Sequence, residues 1–255
     1  MADRRATGTP VLATRGLSRN FGGLAAVRDV SIALYQDELH AVIGPNGAGK
    51  TTLVNMLSGD IKPTSGQIAL AGRQIGGEPA WRLARLGIGR SFQRTNIFPS
   101  LSVLENVRLA AQAVGSARKG ADGQAWRDAD FVSRAYATLE RVGLAEVAAR
   151  AAGALSHGEQ RQLEIAMTLA GDPKVLLLDE PLAGMGPEES ERMTALLKGL
   201  AREHALLLIE HDMDFVFAVA DWMTVMAEGT VIAEGRPEAI RANTAVQDAY
   251  LGGHV

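Results

Sequence analysis

The stretch Gly44–Thr52, with the sequence GPNGAGKTT, constrains the fold of this chain more than any other segment. It matches the phosphate-loop pattern G-x-x-x-x-G-K-[ST] at every fixed position. Glycines allow a tight turn that brings successive backbone N–H groups close to an anion, and the dipole of the following helix also favours phosphate. Residues 40–43 predict a buried strand that enters the loop, and residues 52–57 predict the helix that leaves it.

The side chains of this loop have separate expected roles. Lys50 adds a positive charge that can reach the terminal phosphates of a nucleotide, and Thr51 offers a hydroxyl to Mg²⁺. The structural alternative is a glycine turn before an ordinary helix. The assignment of a phosphate-binding role therefore depends on the other motifs found in the sequence. The loop residues predicted to contact the nucleotide are Gly44, Pro45, Asn46, Gly47, Ala48, Gly49, Lys50, Thr51 and Thr52.

Composition narrows the class of protein. A chain of 255 residues can bury a sizeable core, and its 47% hydrophobic content indicates a globular protein. The net charge of −3 and the lack of a lysine/arginine block argue against nucleic acid as the main partner. Because the chain contains no cysteine, disulfides and thiolate metal sites are excluded. Apolar runs such as 205–209 are too short to span a bilayer, so any membrane role requires a partner.

Strands and helices alternate around the phosphate loop, which predicts an α/β fold with a mostly parallel sheet covered on both faces. Residues 11–42 predict short strands joined by turns, one of them at 30–34. Residues 101–154 are rich in alanine, arginine and leucine at helical spacing and predict a helical insert, with a polar break at 115–123. A last helix is predicted over about 237–250.

Two carboxylates follow the apolar strand predicted at 175–178. Because α/β sheets place ligands at the ends of parallel strands, Asp179 is expected to hold Mg²⁺. Glu180 is expected to orient and deprotonate an attacking water. The alternative is that the strand ends in two solvated carboxylates with no functional role. Because the chain also has a phosphate loop, the functional interpretation is favoured.

Ser156 and Glu159 open another predicted helix and allow two compatible interpretations. In the first, they form a capping box, in which each side chain accepts a hydrogen bond from the backbone N–H of the other residue. In the second, Ser156 and Gly158 present an anion site at the helix N-terminus.

The segment Leu155–Gln160, with the sequence LSHGEQ, resembles the signature L-S-G-G-Q of the ATP-binding-cassette (ABC) ATPases. His157 replaces the first glycine of that pattern. The resemblance extends over nearly the whole chain and implies a P-loop NTPase fold, with a single ABC ATPase domain over 1–255. It also implies an antiparallel β subdomain beside the core and a helical subdomain inserted at about 95–155.

Three further residues match positions of this family. Phe21 is similar to the aromatic residue that stacks on adenine, Gln93 to the glutamine that senses Mg²⁺ and the attacking water, and His211 to the switch histidine that contacts the γ-phosphate. Each of these three residues alone could have a purely structural role. The functional interpretation is supported because all three occur together with the other motifs, in the order typical of the family. The resemblance therefore implies ATP and Mg²⁺ as cofactors. The implied catalytic residues are Glu180, His211 and Gln93, and the implied metal ligands are Thr51, Gln93 and Asp179.

In this family two cassettes pair head to tail, as a homodimer or with a second ABC ATPase. ATP on the phosphate loop of one is covered by the residues that match Ser156 and Gly158 in the other. One departure from the family pattern concerns this interface, because Gly186 stands where a loop aspartate is usual. The departure does not fall on a residue implied for the chemistry, and it falls on the loop that couples the two sites.

Several functions use such a cassette. A soluble ABC ATPase acting on DNA or ribosomes usually has a long coiled-coil insert or two cassettes in one chain, and this chain has neither. A GTPase would need a guanine-reading N-K-x-D stretch, which is absent, and a P-loop kinase would not need the signature. The subunit of a transporter is therefore favoured, working with transmembrane permease subunits at the cytoplasmic face of the inner membrane as a peripheral protein.

Local sequence narrows the transporter class. Six segments are similar to those of importers of branched-chain and other hydrophobic amino acids, namely 21–27, 89–93, 98–107, 161–166, 210–213 and 250–252. Such systems also use a solute-binding protein. The ATPase of the lipopolysaccharide exporter shares part of the pattern and is the alternative. In neither case does the transported molecule touch this subunit.

Overall fold

A computed structural model of the chain describes residue 5 and residues 8–91, 96–115 and 128–251. The chain divides into two compact units. Unit 1 comprises residues 1–83, 177–180 and 198–255, and unit 2 comprises residues 84–176 and 181–197.

Strands and helices alternate along the described residues, as the sequence predicts. The strands are β1 (Leu12–Phe21), β2 (Leu24–Val30), β3 (Ala33–Leu34), β4 (Glu38–Ile43), β5 (Ser65–Leu70), β6 (Arg73–Gln74), β7 (Ile88–Arg90), β8 (Val175–Asp179), β9 (Ala205–Ile209), β10 (Trp222–Ala227) and β11 (Thr230–Gly235). The α-helices are α1 (Lys50–Leu57), α2 (Ala80–Leu86), α3 (Val103–Gly115), α4 (Asp128–Val142), α5 (His157–Leu169), α6 (Pro187–Leu200), α7 (Met213–Val219), α8 (Pro237–Arg241) and α9 (Thr244–Leu251).

Unit 1 contains two kinds of sheet. The order β2-β1-β5-β6 forms an antiparallel sheet, in which β3 also pairs with β1. In the second sheet, β4 lies between β10 and β9 and is parallel to both. On one side β11 pairs antiparallel with β10, and on the other β8 is the neighbour of β9. Every residue of β4 and β9 is buried, as expected for parallel strands covered on both faces. The predictions of a mostly parallel core and an antiparallel β subdomain are confirmed.

Unit 2 is mainly helical. Helices α3, α4 and α5 pack against one another, and α4 buries the apolar face that its sequence predicts, formed by Phe131, Ala135, Leu139 and Val142. In the same unit, the backbone N–H groups at the start of β8 donate to the carbonyl oxygen of Gly87, just before β7. The polar break predicted at 115–123 lies outside the described residues from position 116 onward.

Two element predictions are wrong in detail. The strand predicted at 30–34 is divided between β2 and β3, because the Thr14 hydroxyl donates to the carbonyl of Val30 at 3.0 Å and accepts from the N–H of Ile32 at 2.9 Å. The last predicted helix is two helices, α8 and α9. Between them, Oδ1 of Asn243 accepts a hydrogen bond from the N–H of Val246 at 3.3 Å and so caps the start of α9.

A buried polar cluster lies at the start of β4 in unit 1. His40 is fully buried, its Nε2 lies 2.8 Å from Oγ1 of Thr224, and its Nδ1 accepts a hydrogen bond from Arg5 at 3.0 Å. Arg5 also donates to Oε1 of Glu38 at 2.7 Å. Burial, with the positive charge of Arg5, lowers the pKa of His40 to about 3, whereas burial raises the pKa of Glu38 against the opposing effect of Arg5.

Candidate active site

The phosphate loop in unit 1 connects the end of β4 at Ile43 to the start of α1. Gly47 and Gly49 have φ angles of 82° and 98°, a region that residues with side chains rarely adopt. A Cβ atom on Gly49 would lie 2.5 Å from the carbonyl oxygen of Ala26, whereas one on Gly47 would meet no heavy atom of the described residues within 4 Å. Gly49 is therefore required for close packing, and the backbone at Gly47 is accessible to an anion.

Lys50 lies at the first position of α1, beside its own loop. Its Nζ donates hydrogen bonds to the carbonyl oxygens of Gly44 and Pro45. Burial lowers the pKa of Lys50, and the carboxylates of Glu180 and Asp179 act in the opposite direction. The lysine is therefore within electrostatic range of both carboxylates, and the structure brings together the phosphate loop and the acidic end of β8, as the sequence predicts.

The two carboxylates at the end of β8 have different surroundings. Asp179 is only 3% exposed, whereas the side chain of Glu180 is 27% exposed. Glu180 has a φ angle of 48°, and its N–H donates to the carbonyl of Ile209 at the end of β9, at 2.9 Å. A non-glycine residue in this conformation costs about 1–2 kcal/mol. The hydrogen bond to β9 holds the backbone in this turn, where the carboxylate stays partly accessible.

His211 follows β9 and lies close to Glu180. Its Nδ1 is 3.7 Å from Oε1 of Glu180 and 3.6 Å from Oε2 of Glu210. Glu210 is buried and accepts a hydrogen bond from the backbone N–H of His211 at 3.1 Å. This hydrogen bond holds the backbone at His211, while the His211 side chain is 69% exposed and accessible to a ligand.

The donor set at the phosphate loop fits Mg²⁺. Thr51 is exposed, and its hydroxyl together with the carboxylate of Asp179 provides the hard oxygen ligands that this ion prefers. Among the residues that the structure describes, no group of three or more His, Cys, Asp or Glu side chains could hold a metal ion. Gln93, the remaining predicted ligand and catalytic residue, lies outside the described residues.

Phe21 is the last residue of β1, and its side chain is exposed. The guanidinium carbon of Arg19 lies 4.6 Å from the centre of its ring, and Arg19 also donates to the carbonyl of Lys62 at 2.9 Å. Arg19 therefore packs against the ring of Phe21 through a cation–π contact. The sequence gives no sign of this role, because an arginine two residues before an aromatic residue in a strand is ordinary.

In unit 2, Ser156 is the N-cap of α5 and forms the predicted capping box with Glu159. Oγ of Ser156 accepts from the N–H of Glu159 at 3.2 Å, and the Glu159 side chain accepts from the N–H of Ser156 at 2.7 Å. Sequence reasoning missed a third partner, Glu189 in α6, whose carboxylate accepts a hydrogen bond from the Ser156 hydroxyl at 3.1 Å. A Cβ atom on Gly158 would lie 2.6 Å from this carboxylate.

Tyr250 in α9 is a third residue whose contact the sequence does not reveal. Burial raises the pKa of its phenol to about 12, and the backbone of Gly44, the first residue of the phosphate loop, acts in the opposite direction. The contact with Gly44 falls short of a well-formed hydrogen bond. The last described helix of unit 1 therefore reaches the phosphate loop from the far end of the chain.

The described helices include none that is both long enough and apolar enough to cross a lipid bilayer. The family model described as "ABC transporter" matches residues 27–183, and the model described as "Branched-chain amino acid ATP-binding cassette transporter" matches residues 230–255. The chain is 43% identical to the high-affinity branched-chain amino acid transport ATP-binding protein LivG of Salmonella typhimurium, over 95% of this chain and 98% of that protein. It is 41% identical to the corresponding protein BraF of Pseudomonas aeruginosa, over 95% and 98% of the two chains.

Solved structures agree with these sequence matches. A nucleotide-free ATP-binding cassette from an ABC transporter superposes with a TM-score of 0.84 at 28% identity, covering 95% of this chain and 99% of that one. An ATP-binding cassette of an ABC transporter in its ADP conformation gives a TM-score of 0.84 at 28% identity, with coverage of 96% and 99%. The predicted P-loop fold and ATPase class are confirmed, and the chain belongs to the ABC transporter family as one of its ATP-binding, ATP-hydrolysing subunits.

Proposed function

We propose that this subunit energises the import of branched-chain amino acids, or related small solutes, through separate membrane subunits. The proposal depends on the cluster of Lys50, Glu180 and His211 in a chain whose relatives are named as branched-chain amino acid transport proteins. The match at residues 230–255 has a description of the same kind. These names favour import over the lipopolysaccharide exporter.

In the proposed reaction, the phosphates of ATP lie along the loop 44–52 and the adenine stacks on Phe21. Lys50 places positive charge beside the terminal phosphates. Glu180 orients the attacking water and accepts its proton, and its partial exposure leaves room for that water. His211, 3.7 Å from Glu180, is in reach of the same region and donates to the γ-phosphate.

The same residues would hold Mg²⁺. Thr51 and Asp179 provide a hydroxyl and a carboxylate in unit 1, and the resemblance adds Gln93. When bound, the ion neutralises phosphate charge. Asp179 is suited to this role because it is nearly buried and its charge lies close to Lys50.

A complete site needs two cassettes in this proposal. Ser156 and Gly158 belong to unit 2 of one copy and would cover the ATP on the phosphate loop of another copy, or of a related ABC ATPase. ATP then joins the two subunits, and hydrolysis releases them, because the closed state has higher affinity for ATP than for its products.

The substitution Glu180→Gln tests the catalytic assignment. We expect the variant to bind ATP and to lose at least about 10²-fold in turnover, because the amide cannot accept the proton. Its mass in light scattering should double when ATP is added. Glu228→Gln is the matched control, because Glu228 is an exposed glutamate of unit 1 with the same φ angle of 48°. Near-normal hydrolysis by Glu180→Gln would show that another group is the base.

The membrane subunits are proposed to dock on unit 2 near the segment that follows Gln93. Phe98 in this segment is 52% exposed, and Asn106 holds its backbone with two hydrogen bonds, at 2.7 Å to its N–H and 3.1 Å to its carbonyl. In the same unit, a cavity of about 260 Å³ is lined by Asn96, two residues before Phe98, and by apolar side chains such as those of Ala110 and Val114. An exposed aromatic residue whose backbone is held in place suits the cytoplasmic helix of a permease.

The proposed location is therefore the cytoplasmic face of the inner membrane, as a peripheral subunit with permease partners and a solute-binding protein in the same system. Nucleic acid is not a proposed partner. Uptake of labelled leucine in cells that lack the gene tests the substrate class. We expect uptake to fall and to be restored by the intact gene, but not by the Glu180→Gln form. Normal leucine uptake with defective outer-membrane assembly would favour the exporter.

A further inference from the structure

One carboxylate in unit 2 joins the N-termini of two helices. Oε1 of Glu189 accepts a hydrogen bond from the hydroxyl of Ser156, the N-cap of α5, at 3.1 Å. Oε2 of the same side chain accepts from the backbone N–H of Gly186, just before α6, at 3.4 Å. Glu189 thus caps its own helix and also binds the serine of the signature.

In this arrangement, the hydroxyl of Ser156 is not free to donate a hydrogen bond to a bound anion. A hydroxyl has a single hydrogen to donate, and in Ser156 that hydrogen is directed to Glu189. One lone pair of the same oxygen already accepts from the N–H of Glu159. A phosphate oxygen that approaches Ser156 therefore meets a donor that is already engaged and two negative charges, on Glu159 and Glu189.

The space next to the serine is also occupied. The carboxylate of Glu189 lies against Gly158, where a Cβ atom would be 2.6 Å from it. The N-terminus of α5 favours negative charge, and an internal carboxylate lies beside it. Gly186, which replaces the usual aspartate, contributes only its backbone N–H to this arrangement.

We propose that Glu189 is an internal competitor of the nucleotide phosphate for Ser156, and that it sets the ATP concentration at which two copies pair. The proposal rests on the proposed pairing of two cassettes through ATP. When the phosphates bound to the opposite copy reach Ser156, the carboxylate leaves, and the serine donates its hydrogen to the phosphate instead. Glu189 is a positioning residue and does not take part in the chemistry.

The displaced carboxylate has a cation available nearby. Arg192 is one helical turn along α6, at the i,i+3 spacing that allows two side chains to meet. Glu189, Arg192, Ser156 and Gly158 all line one cavity of about 460 Å³ in unit 2, which provides the room for the movement. Pairing with Arg192 stabilises the released state and therefore favours the ATP-bound dimer.

The test compares variants in the Glu180→Gln background, where hydrolysis does not reverse the pairing. Light scattering gives the ATP concentration at half-maximal dimer for the background protein and for the added substitutions Glu189→Gln, Glu188→Gln and Arg192→Gln. Glutamine at 189 keeps an oxygen for the N–H of Gly186 and removes the negative charge. Glu188→Gln is the matched control, because Glu188 is exposed in the same helical turn and the substitution changes the net charge equally.

We expect Glu189→Gln to lower the half-maximal ATP concentration at least about fivefold, which corresponds to about 1 kcal/mol. Glu188→Gln should stay within about twofold of the background. Arg192→Gln should shift the midpoint in the opposite direction, by about twofold or more, which keeps the proposal testable if Glu189→Gln does not fold.

Two results overturn the proposal, and they are distinguishable. If the background protein pairs with ATP but Glu189→Gln has the same midpoint as Glu188→Gln, or a higher one, Glu189 only caps α6. If no variant pairs with ATP at any concentration, both the pairing and this proposal fail. Thermal unfolding without nucleotide measures the capping contribution separately, because loss of a cap lowers the melting temperature without requiring ATP.

Discussion

Nδ1 of His211 lies 3.7 Å from Oε1 of Glu180, although each residue follows a different strand of the core sheet. The hydrogen bond from the N–H of Glu180 to the carbonyl of Ile209 joins the ends of these strands, β8 and β9. A movement of either strand end therefore changes the distance between the proposed base and the proposed phosphate-contacting residue. The two groups are expected to act as one unit, and substitutions in them should not be additive.

Substitution of His211 tests this relationship. We expect His211→Ala to retain ATP binding and to lose about 10²–10³-fold in turnover, because one stabilising donor is removed from the transition state. Asp214→Ala is the control, since Asp214 is an exposed residue in the first turn of α7. Steady-state hydrolysis and equilibrium ATP binding should be measured together. A double variant with Glu180→Gln that loses the product of the two single effects would contradict the coupling.

Phe21 provides a separate test of nucleotide binding. We expect Phe21→Ala to raise the dissociation constant for ATP by about 5–30-fold, through loss of about 1–2 kcal/mol of stacking, and Phe21→Trp to retain affinity. Leu24→Ala is the control, because Leu24 is more exposed than Phe21 and lies across the same turn. Arg19→Met should have an intermediate effect, because it removes the cation beneath the ring without removing the ring. Equal affinities for the alanine variant and the parent protein would place adenine elsewhere.

The proposed docking surface is tested by Phe98→Asp in the complex with the membrane subunits. Because Phe98 is exposed, we expect the free subunit to fold and to hydrolyse ATP at its basal rate, while assembly and substrate-stimulated hydrolysis fall by about tenfold or more. Tyr136→Asp is the matched control, since Tyr136 is an exposed aromatic residue in α4 of the same unit. Normal assembly of the Phe98 variant would move the docking site to another surface.

The buried His40 predicts a pH dependence of stability. In the unfolded chain histidine binds a proton below about pH 6.5, whereas in the folded protein the pKa of His40 is about 3. The unfolded state therefore binds more protons between these values, and the free energy of unfolding should fall as the pH falls, by up to about 1.4 kcal/mol per pH unit. The raised pKa of Glu38 acts in the opposite direction, because protonation of this carboxylate as the pH falls favours the folded state.

Urea unfolding between pH 5 and 7 measures this slope. We expect His40→Gln to have a flatter profile than the parent protein, whatever its stability at neutral pH. His157→Gln is the control, because the same substitution is made at a histidine that is exposed. Parallel profiles for the His40 variant and the parent protein would assign the dependence to other groups.

Local sequence signals predicted the parts of the site that depend on backbone pattern. The strand–loop–helix around Gly44–Thr52, the acidic end of β8 and the capping box of Ser156 each occupy a few consecutive residues, and each is found where predicted. The split between α8 and α9 was missed because Asn243 is a cap that lies within an otherwise helical pattern. The single-domain boundary at 1–255 and the role of Gln93 stay predictions.

Side-chain contacts between distant segments were not predictable in the same way. Glu189 reaches Ser156 from another helix, and Tyr250 reaches Gly44 from the other end of the chain. Neither residue type nor local spacing signals such a contact, because it depends on how complete elements pack. In the sequence, Glu189 is explained locally as a helix-capping residue. Its contact with Ser156 becomes evident only in the three-dimensional structure, where α5 and α6 are neighbours.

The open position of Gly47 has a consequence for the energetics of ATP binding. Its φ angle of 82° lies in a region that residues with a side chain rarely adopt, although no heavy atom of the described residues lies within 4 Å of where a Cβ would stand. An alanine here would therefore be strained by the backbone torsion angle and not by a clash, and only a loop of different shape would relieve that strain. Such a loop would have to return to its present shape when phosphate binds, and the cost of that change would be subtracted from the affinity for ATP.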